Sequence, residues 1–372
     1  MVFPDYQPKP QENGPQAHYH PARHQRQRSL SQQGVLVAKQ LAPPISWSLV
    51  VLCLGWYLSS ALSNTIAKSI LNIASYPTTL TMIQFLYAVS FSSIALVACH
   101  HHPQLAAPFP KGTLSSGGVK HLNWHIFTAT GPMAAFQLIG HLFSYTAMSQ
   151  IPVSLVHAIK SLSPLFTVLA YGLIFRTRHN TTTYVALIPL TLGVVMTCSA
   201  EFKAKPLAIS EALCSTLIFV AQNMYSKRLL THGSTTATSP EFDKMTILGW
   251  CAGLAFFASL PIWICTDGYT FLTKGIELHG SPWYLLFLFT LNGFSHFCQN
   301  LLSFLVLGSI STVSYSVASL VKRIVVISAS ILWFGQKVTT QQSWGIIISF
   351  LGLYIYDKFG GKVDTPRTPL PR

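Results

Sequence analysis

The chain has 372 residues, of which 50% are hydrophobic and only 9% charged, with a mean hydropathy of +0.42. Soluble domains carry roughly 25% charged residues, so this composition disfavours a soluble enzyme, a disordered protein and a secreted disulfide scaffold. The 24 Lys+Arg against 10 Asp+Glu give a net charge of +14, which suggests nucleic acid until the positions of the charges are read.

Residues 1–45 are rich in Pro, Gln, His and Arg and read as a disordered cytosolic tail. They hold no apolar core of a cleaved signal, and they resemble a transit peptide only weakly because Ser is sparse and Pro abundant. Apolar stretches of about 20 residues, enough to cross a hydrocarbon layer of ~30 Å, then recur at 47–70, 78–99, 124–149, 152–175, 182–200, 206–227, 246–266, 282–307, 312–335 and 341–357. The expectation is an all-α integral membrane protein of ten transmembrane helices. Ile151-Pro152 and Ser309-Ile310-Ser311 leave room only for tight hairpins between spans three and four and between spans eight and nine. Residues 359–372, ending Thr-Pro-Leu-Pro-Arg, read as a second disordered cytosolic tail.

Orientation follows from Lys/Arg placement. One side holds Lys9, Arg23, Arg26, Arg28, Lys39, Lys111, Lys120, Arg176, Arg178, Lys227, Arg228, Lys244, Lys358, Lys362, Arg367 and Arg372; the other holds Lys203, Lys205, Lys274 and Lys337. That asymmetry places both termini in the cytosol. The sequon Asn180-Thr181-Thr182 then falls on the cytosolic side, where it meets no glycosylation machinery.

Four cations remain inside spans: Lys68, Lys160, Lys322 and Arg323. Each costs about 2.5–3.5 kcal/mol at a helix centre on insertion scales. Lys68 sits near a span end and can snorkel. At 1.5 Å rise per residue, Lys160 and the Lys322-Arg323 pair lie about 13–17 Å deep, near the midplane. Glu211 is the one acidic residue well inside a span, so ion pairing neutralises one cation and not all. Two readings follow: pairing with Glu211 and backbone carbonyls, or a cationic midplane cavity that receives an anion. Two Lys and one Arg, point charges beside a planar fork, suit a phosphate dianion. Adjacent helical residues point about 100° apart, so Lys322 and Arg323 share a ligand only in a wide cavity.

The halves echo one another. Val153-Ser154-Leu155-Val156-His157-Ala158-Ile159-Lys160 is followed by Phe175 and Gly193, and Val313-Ser314-Tyr315-Ser316-Val317-Ala318 by Lys322, Phe334 and Gly352. Phe334 lies 159 positions after Phe175, Gly352 lies 159 after Gly193, and the lysines are 162 apart. The difference of three is close to one helical turn. Residues 46–200 and 201–358 therefore read as two five-helix repeats, inverted because each has an odd number of spans.

Other residues carry weaker signals. His141 and His296 suit packing, a proton relay or a substrate contact, and His157, three residues before Lys160, suits packing. His100-His101-His102 reads as a solvated loop. Seven Cys lack a Cys-x-x-Cys pair, so no metal site, redox site or cofactor is expected. Pro164 is a hinge or a packed kink, while Gly131, Gly140, Gly193, Gly293, Gly308 and Gly352 read as close-packing surfaces. Without paired carboxylates or a nucleophile elbow, no enzyme is expected.

The run Ser314-Tyr315-Ser316-Val317-Ala318-Ser319-Leu320-Val321-Lys322-Arg323-Ile324-Val325-Val326-Ile327, the run from Val153 to Lys160 followed by Pro164, and the first span with Trp56-Tyr57, Asn64 and Lys68 resemble the triose-phosphate translocator family. That family lies within the nucleotide-sugar and drug/metabolite transporter group, and the resemblance covers about residues 48–358. It implies a ten-helix exchanger trading phosphorylated metabolites, usually against inorganic phosphate. Residues matching Lys160, Lys322 and Arg323 would bind the phosphate, and those matching Lys68, His141 and Ser144 the other end of the substrate. Gln222 stands where plastid members carry a substrate-facing Arg, and Gln299 where they carry a Tyr before the Asn matching Asn300. The pattern looks closer to the endomembrane branch, which implies the ER or Golgi in preference to a plastid-type envelope. The expected partners are a sugar-phosphate-like anion, inorganic phosphate and the lipid bilayer, with no nucleic acid. A nucleotide-sugar transporter and a non-transporting membrane scaffold or trafficking factor are the alternatives.

Overall fold

The computed structural model describes residues 47–356, except 108, 110–112, 115–117, 120, 175–180, 233–242, 276–280 and 310–311, together with residue 358. The expected tails, the sequon Asn180, Phe175 and loop cations such as Lys111 and Arg176 lie outside the described residues, as do the side chains at 174, 200, 227–232 and 307–317.

A helix occupies every expected span, with ends moved by a few residues: α1 (Trp47–Ile73), α2 (Pro77–His101), α3 (Trp124–Gln150), α4 (Val153–Lys160), α5 (Ser163–Ile174), α6 (Thr181–Ala204), α7 (Pro206–His232), α8 (Lys244–Trp263), α9 (Tyr269–Lys274), α10 (Pro282–Ser309), α11 (Thr312–Phe334) and α12 (Thr340–Ile355). The described residues form no strand. Seven helical stretches among them, from Trp47–Ile73 to Lys244–Lys274, are long and apolar enough to cross a membrane, which gives a multi-pass membrane protein. Helices suit that setting because each satisfies its own backbone in hydrocarbon. Trp47, Trp124 and Trp283 stand at helix starts with 77–82% of their surface exposed, the positions where indoles settle at a membrane–water boundary.

Two spans are interrupted. The fourth divides into α4 and α5, and the seventh passes from α8 through a π-helical turn at Ile264–Gly268 into α9. That turn carries Asp267, 8% exposed, to the start of α2. Tyr76 offers α2 no side-chain cap. Asp267 Oδ2 instead accepts from the Thr79 backbone N–H (2.7 Å) and the Thr79 hydroxyl (2.8 Å). Trp263 Nε1, at the end of α8, donates to Thr79 Oγ1 (2.9 Å) and ties the same residue from a second side. A buried carboxylate thus caps a helix from a distant segment. Asp267→Ala is expected to cost about 1–3 kcal/mol, read as a lower melting temperature in detergent, with Asp267→Asn losing less.

The helix pairings come in matched couples. α1 packs on α10 as α3 packs on α7; α2 packs on α10 as α3 packs on α8; α1 packs on α11 as α4 and α5 pack on α7. α2 with α8, α4 with α11 and α6 with α12 complete the set. The last pair is the most extensive, and glycines explain why. A Cβ on Gly193 would lie 2.4 Å from the Ser349 nitrogen and 2.6 Å from the Gly345 oxygen, and one on Gly352 would lie 2.3 Å from the Leu190 nitrogen. Gly140 faces Phe219 and Gly293 faces Tyr87 in similarly tight contacts. Gly131 does not follow: its nearest neighbour is Phe127 at 4.0 Å, so it is no packing surface. Gly308 lies outside the described side chains.

Candidate functional site

Lys160 is the last residue of α4. Pro164 lacks the N–H that would bond the Lys160 carbonyl four residues back, and its ring crowds that oxygen. The helix therefore stops, turns at Ser161-Leu162 and restarts at Ser163. The Ser163 hydroxyl donates to the Lys160 carbonyl in place of the missing amide. Arg323 Nη2 in turn donates to Ser163 Oγ over 3.3 Å. Pro164 is thus a break in the span, and the break is where α11 delivers its guanidinium.

The Lys160 ammonium donates to Ser144 Oγ at 2.6 Å and stands 5.2 Å from the centre of the Phe219 ring. The Lys322 ammonium stands 4.7 Å from the centre of the Trp56 ring. Lys160, Lys322 and Arg323 lie close enough to repel one another electrostatically. Glu211 does not relieve them: its Oε2 accepts from Gln150 Nε2 at 3.1 Å. Among the described residues no carboxylate lies within ion-pair distance of Lys68, Lys160 or Lys322, and none of the described His, Cys, Asp and Glu form a metal-binding group. Lys160 and Arg323, from two helices, meet through Ser163 at one helix break, and Lys322 is the residue before Arg323.

Lys68 is placed apart from this cluster. It donates to the carbonyls of Met148 (2.7 Å) and Ser149 (3.4 Å), and Lys205 donates to that of Gln150. Both ammonium groups therefore cover the last turn of α3, the negative end of its dipole. His157, 7% exposed, bonds Asn64 Oδ1 through Nε2 at 3.1 Å, which suits a packed histidine.

Beside Lys160, on the far side of Phe219, lies an aromatic group. His141 is ringed by Phe85, Tyr145, Phe219 and His296, with centroids 5.2–5.7 Å away. Asn300 Nδ2 donates to His296 Nε2 at 3.0 Å. Gln222 lies one turn beyond Phe219 and Gln299 one turn beyond His296, and the buried Oε1 of each has no hydrogen-bond partner. The sequence singles out the cations, His141, Ser144 and the two glutamines, but not Phe219 or Ser163. Aromatic and hydroxyl residues are common in spans, so nothing local distinguishes those two; only the fold brings them to the lysine and the arginine.

Residues 47–357 match the profile of the Triose-phosphate Transporter family. The chain belongs to that family. Among its relatives, the Schizosaccharomyces pombe protein named "Putative transporter C83.11" is 40% identical over 83% of this chain and 66% of its own length. The chain thus spans just under two thirds of that relative. "Uncharacterized transporter SLY41" of Saccharomyces cerevisiae is 32% identical over 86% of this chain and 82% of its own. The chloroplastic triose phosphate/phosphate translocator of Spinacia oleracea is 26% identical over 83% and 71%. This member of the triose-phosphate transporter family therefore stands nearer to those two yeast relatives than to the plastid translocator, as the non-plastid pattern implied.

Proposed function

We propose that the protein is a secondary-active antiporter that exchanges a phosphorylated metabolite for inorganic phosphate by alternating access. The observation that carries this reading is the meeting of Lys160 and Arg323 at the break between α4 and α5, with Lys322 next to Arg323 and no described carboxylate at ion-pair distance from either lysine. A half-buried cluster of like charge is costly, and a phosphate dianion neutralises most of it. The guanidinium supplies a planar fork and each ammonium a point charge. Relatives named as phosphate translocators, among them one for xylulose 5-phosphate in Arabidopsis thaliana, support the substrate class.

In this reading the phosphate is held by Lys160, Lys322 and Arg323. Ser144 already bonds Lys160 and fixes its direction. His141, Gln222 and Gln299 face the rest of the substrate, where a donor group would satisfy the two orphaned amide oxygens. Lys68 acts at the mouth of the site, at the α3 terminus. Binding neutralises the cluster and allows the mouth to close; the empty site keeps its repulsion and resists closure, so transport proceeds as exchange. The matched helix pairings support ten spans arranged as two inverted five-helix repeats around this site. The charge asymmetry supports cytosolic termini, and the sequence pattern supports the ER or Golgi.

Purified protein in liposomes loaded with phosphate should take up labelled phosphate, and external sugar phosphates should compete with the label. Nucleotide sugars that compete where sugar phosphates do not would shift the assignment to a nucleotide-sugar transporter. Vesicles that exchange no phosphorylated compound would overturn the reading.

A further inference from the structure

Two cation–aromatic contacts in the site are counterparts. Lys160 of α4 stands over Phe219 of α7, and Lys322 of α11 stands over Trp56 of α1. The lysines are 162 positions apart and the two rings 163. Both separations lie within about one helical turn of the 159 positions that relate the halves, and the contacts fall where the pairing of α1 with α11 answers that of α4 with α7. In each contact a lysine from one half meets a ring from the first helix of the other. Trp56 is 1% exposed and packs with Val306, Ala318 and Leu302, so its ring is fixed in place. Phe219 is held from its other sides by Gly140 and the His141 ring.

We propose that Trp56 and Phe219 are a pair of positioning residues that stand in for the anion between turnovers. A half-buried ammonium with no carboxylate beside it is stabilised by the negative face of a ring, for Lys160 together with the Ser144 hydroxyl. When phosphate enters, each ammonium turns to its oxygens and leaves the ring. The rings thus stabilise the unloaded carrier and compete with the substrate. Because they belong to opposite halves, each bound phosphate releases two contacts across the halves and replaces them with one shared ligand. This inference rests on the assignment of Lys160 and Lys322 as anion-binding groups.

The test is phosphate homo-exchange in liposomes by the full chain and by Trp56→Leu, Phe219→Leu, Trp56→Phe and Phe219→Tyr. Removing a ring face should lower the KM for phosphate by about 2- to 30-fold, the factor equivalent to one cation–π contact. The two leucine variants should move it in the same direction, and the two aromatic replacements should move it less. A leucine variant whose KM is unchanged or raised, at normal abundance, overturns the proposal. Tryptophan emission gives a second measurement if the leucine variants fold poorly. Phosphate should change the emission of the wild type and of Trp283→Phe but not that of Trp56→Phe, and a full response retained in Trp56→Phe also overturns it. Absence of exchange in the wild type would instead bring down the antiporter reading itself.

Discussion

Lys160→Ala and Lys322→Ala each reduce phosphate exchange by at least about 30-fold while leaving the protein folded. The magnitude follows from removing one member of a buried, charge-assisted contact, which costs about 2–5 kcal/mol. Stability moves the other way, because each substitution relieves a cluster of three like charges whose lysines have no carboxylate beside them among the described residues. Loss of transport with an unchanged or raised melting temperature is therefore the signature of a binding role. Arg323→Lys separates charge from shape: it keeps the charge but loses the fork, and should retain intermediate exchange. Exchange at wild-type rates in either alanine variant would leave the cluster without a transport role and favour the scaffold reading.

Gly193→Ala should largely prevent accumulation of folded protein. Its new Cβ would fall 2.4 Å from the Ser349 nitrogen and 2.6 Å from the Gly345 oxygen. Backbone cannot move aside as a side-chain tip does, so the cost exceeds the roughly 1–3 kcal/mol usual for an overpacked core. Gly131→Ala provides the contrast. Its Cβ would meet only Phe127 at 4.0 Å, and alanine favours a helix over glycine by about 1 kcal/mol. Size-exclusion profiles in detergent should show a monodisperse peak for Gly131→Ala and little or none for Gly193→Ala. Equal profiles would show that the α6–α12 contact is looser than these distances require.

The helices are readable from the chain because lipid leaves them no alternative: a run of about 20 apolar residues fixes element type and length together. The hairpin at Ile151-Pro152 and the interruption after Lys160 are signalled by proline, which marks where a helix loses an amide. What proline does not disclose is the repair, here the Ser163 hydroxyl on the Lys160 carbonyl. The cations are legible because charge inside a span is costly wherever it points. Their neighbours are not, since Phe219, Ser163 and the aromatics around His141 are residues that any span contains. Glu211 shows the limit of counting charges: as the one acid well inside an expected span it is the natural partner for a lysine, yet it accepts from Gln150. Gly131 shows the same limit for packing, because a glycine on a helix does not reveal whether another helix crosses there.

The interruption at Ser161-Leu162 has a mechanical consequence. α4 is an arm of 8 residues, about 12 Å long, with Lys160 at its pivot and Ser154 near its tip. Ser154 Oγ donates to Gln336 Oε1 at 2.7 Å, which latches the tip to the segment between α11 and α12. Val153 to Ile159 are all buried, so the arm moves only with its packing, and a tilt of about 20° would sweep the tip through roughly 4 Å over that length. The ammonium-bearing end would hardly shift. Such a lever keeps its ammonium at the fulcrum, so the charge stays in place whichever way the arm leans.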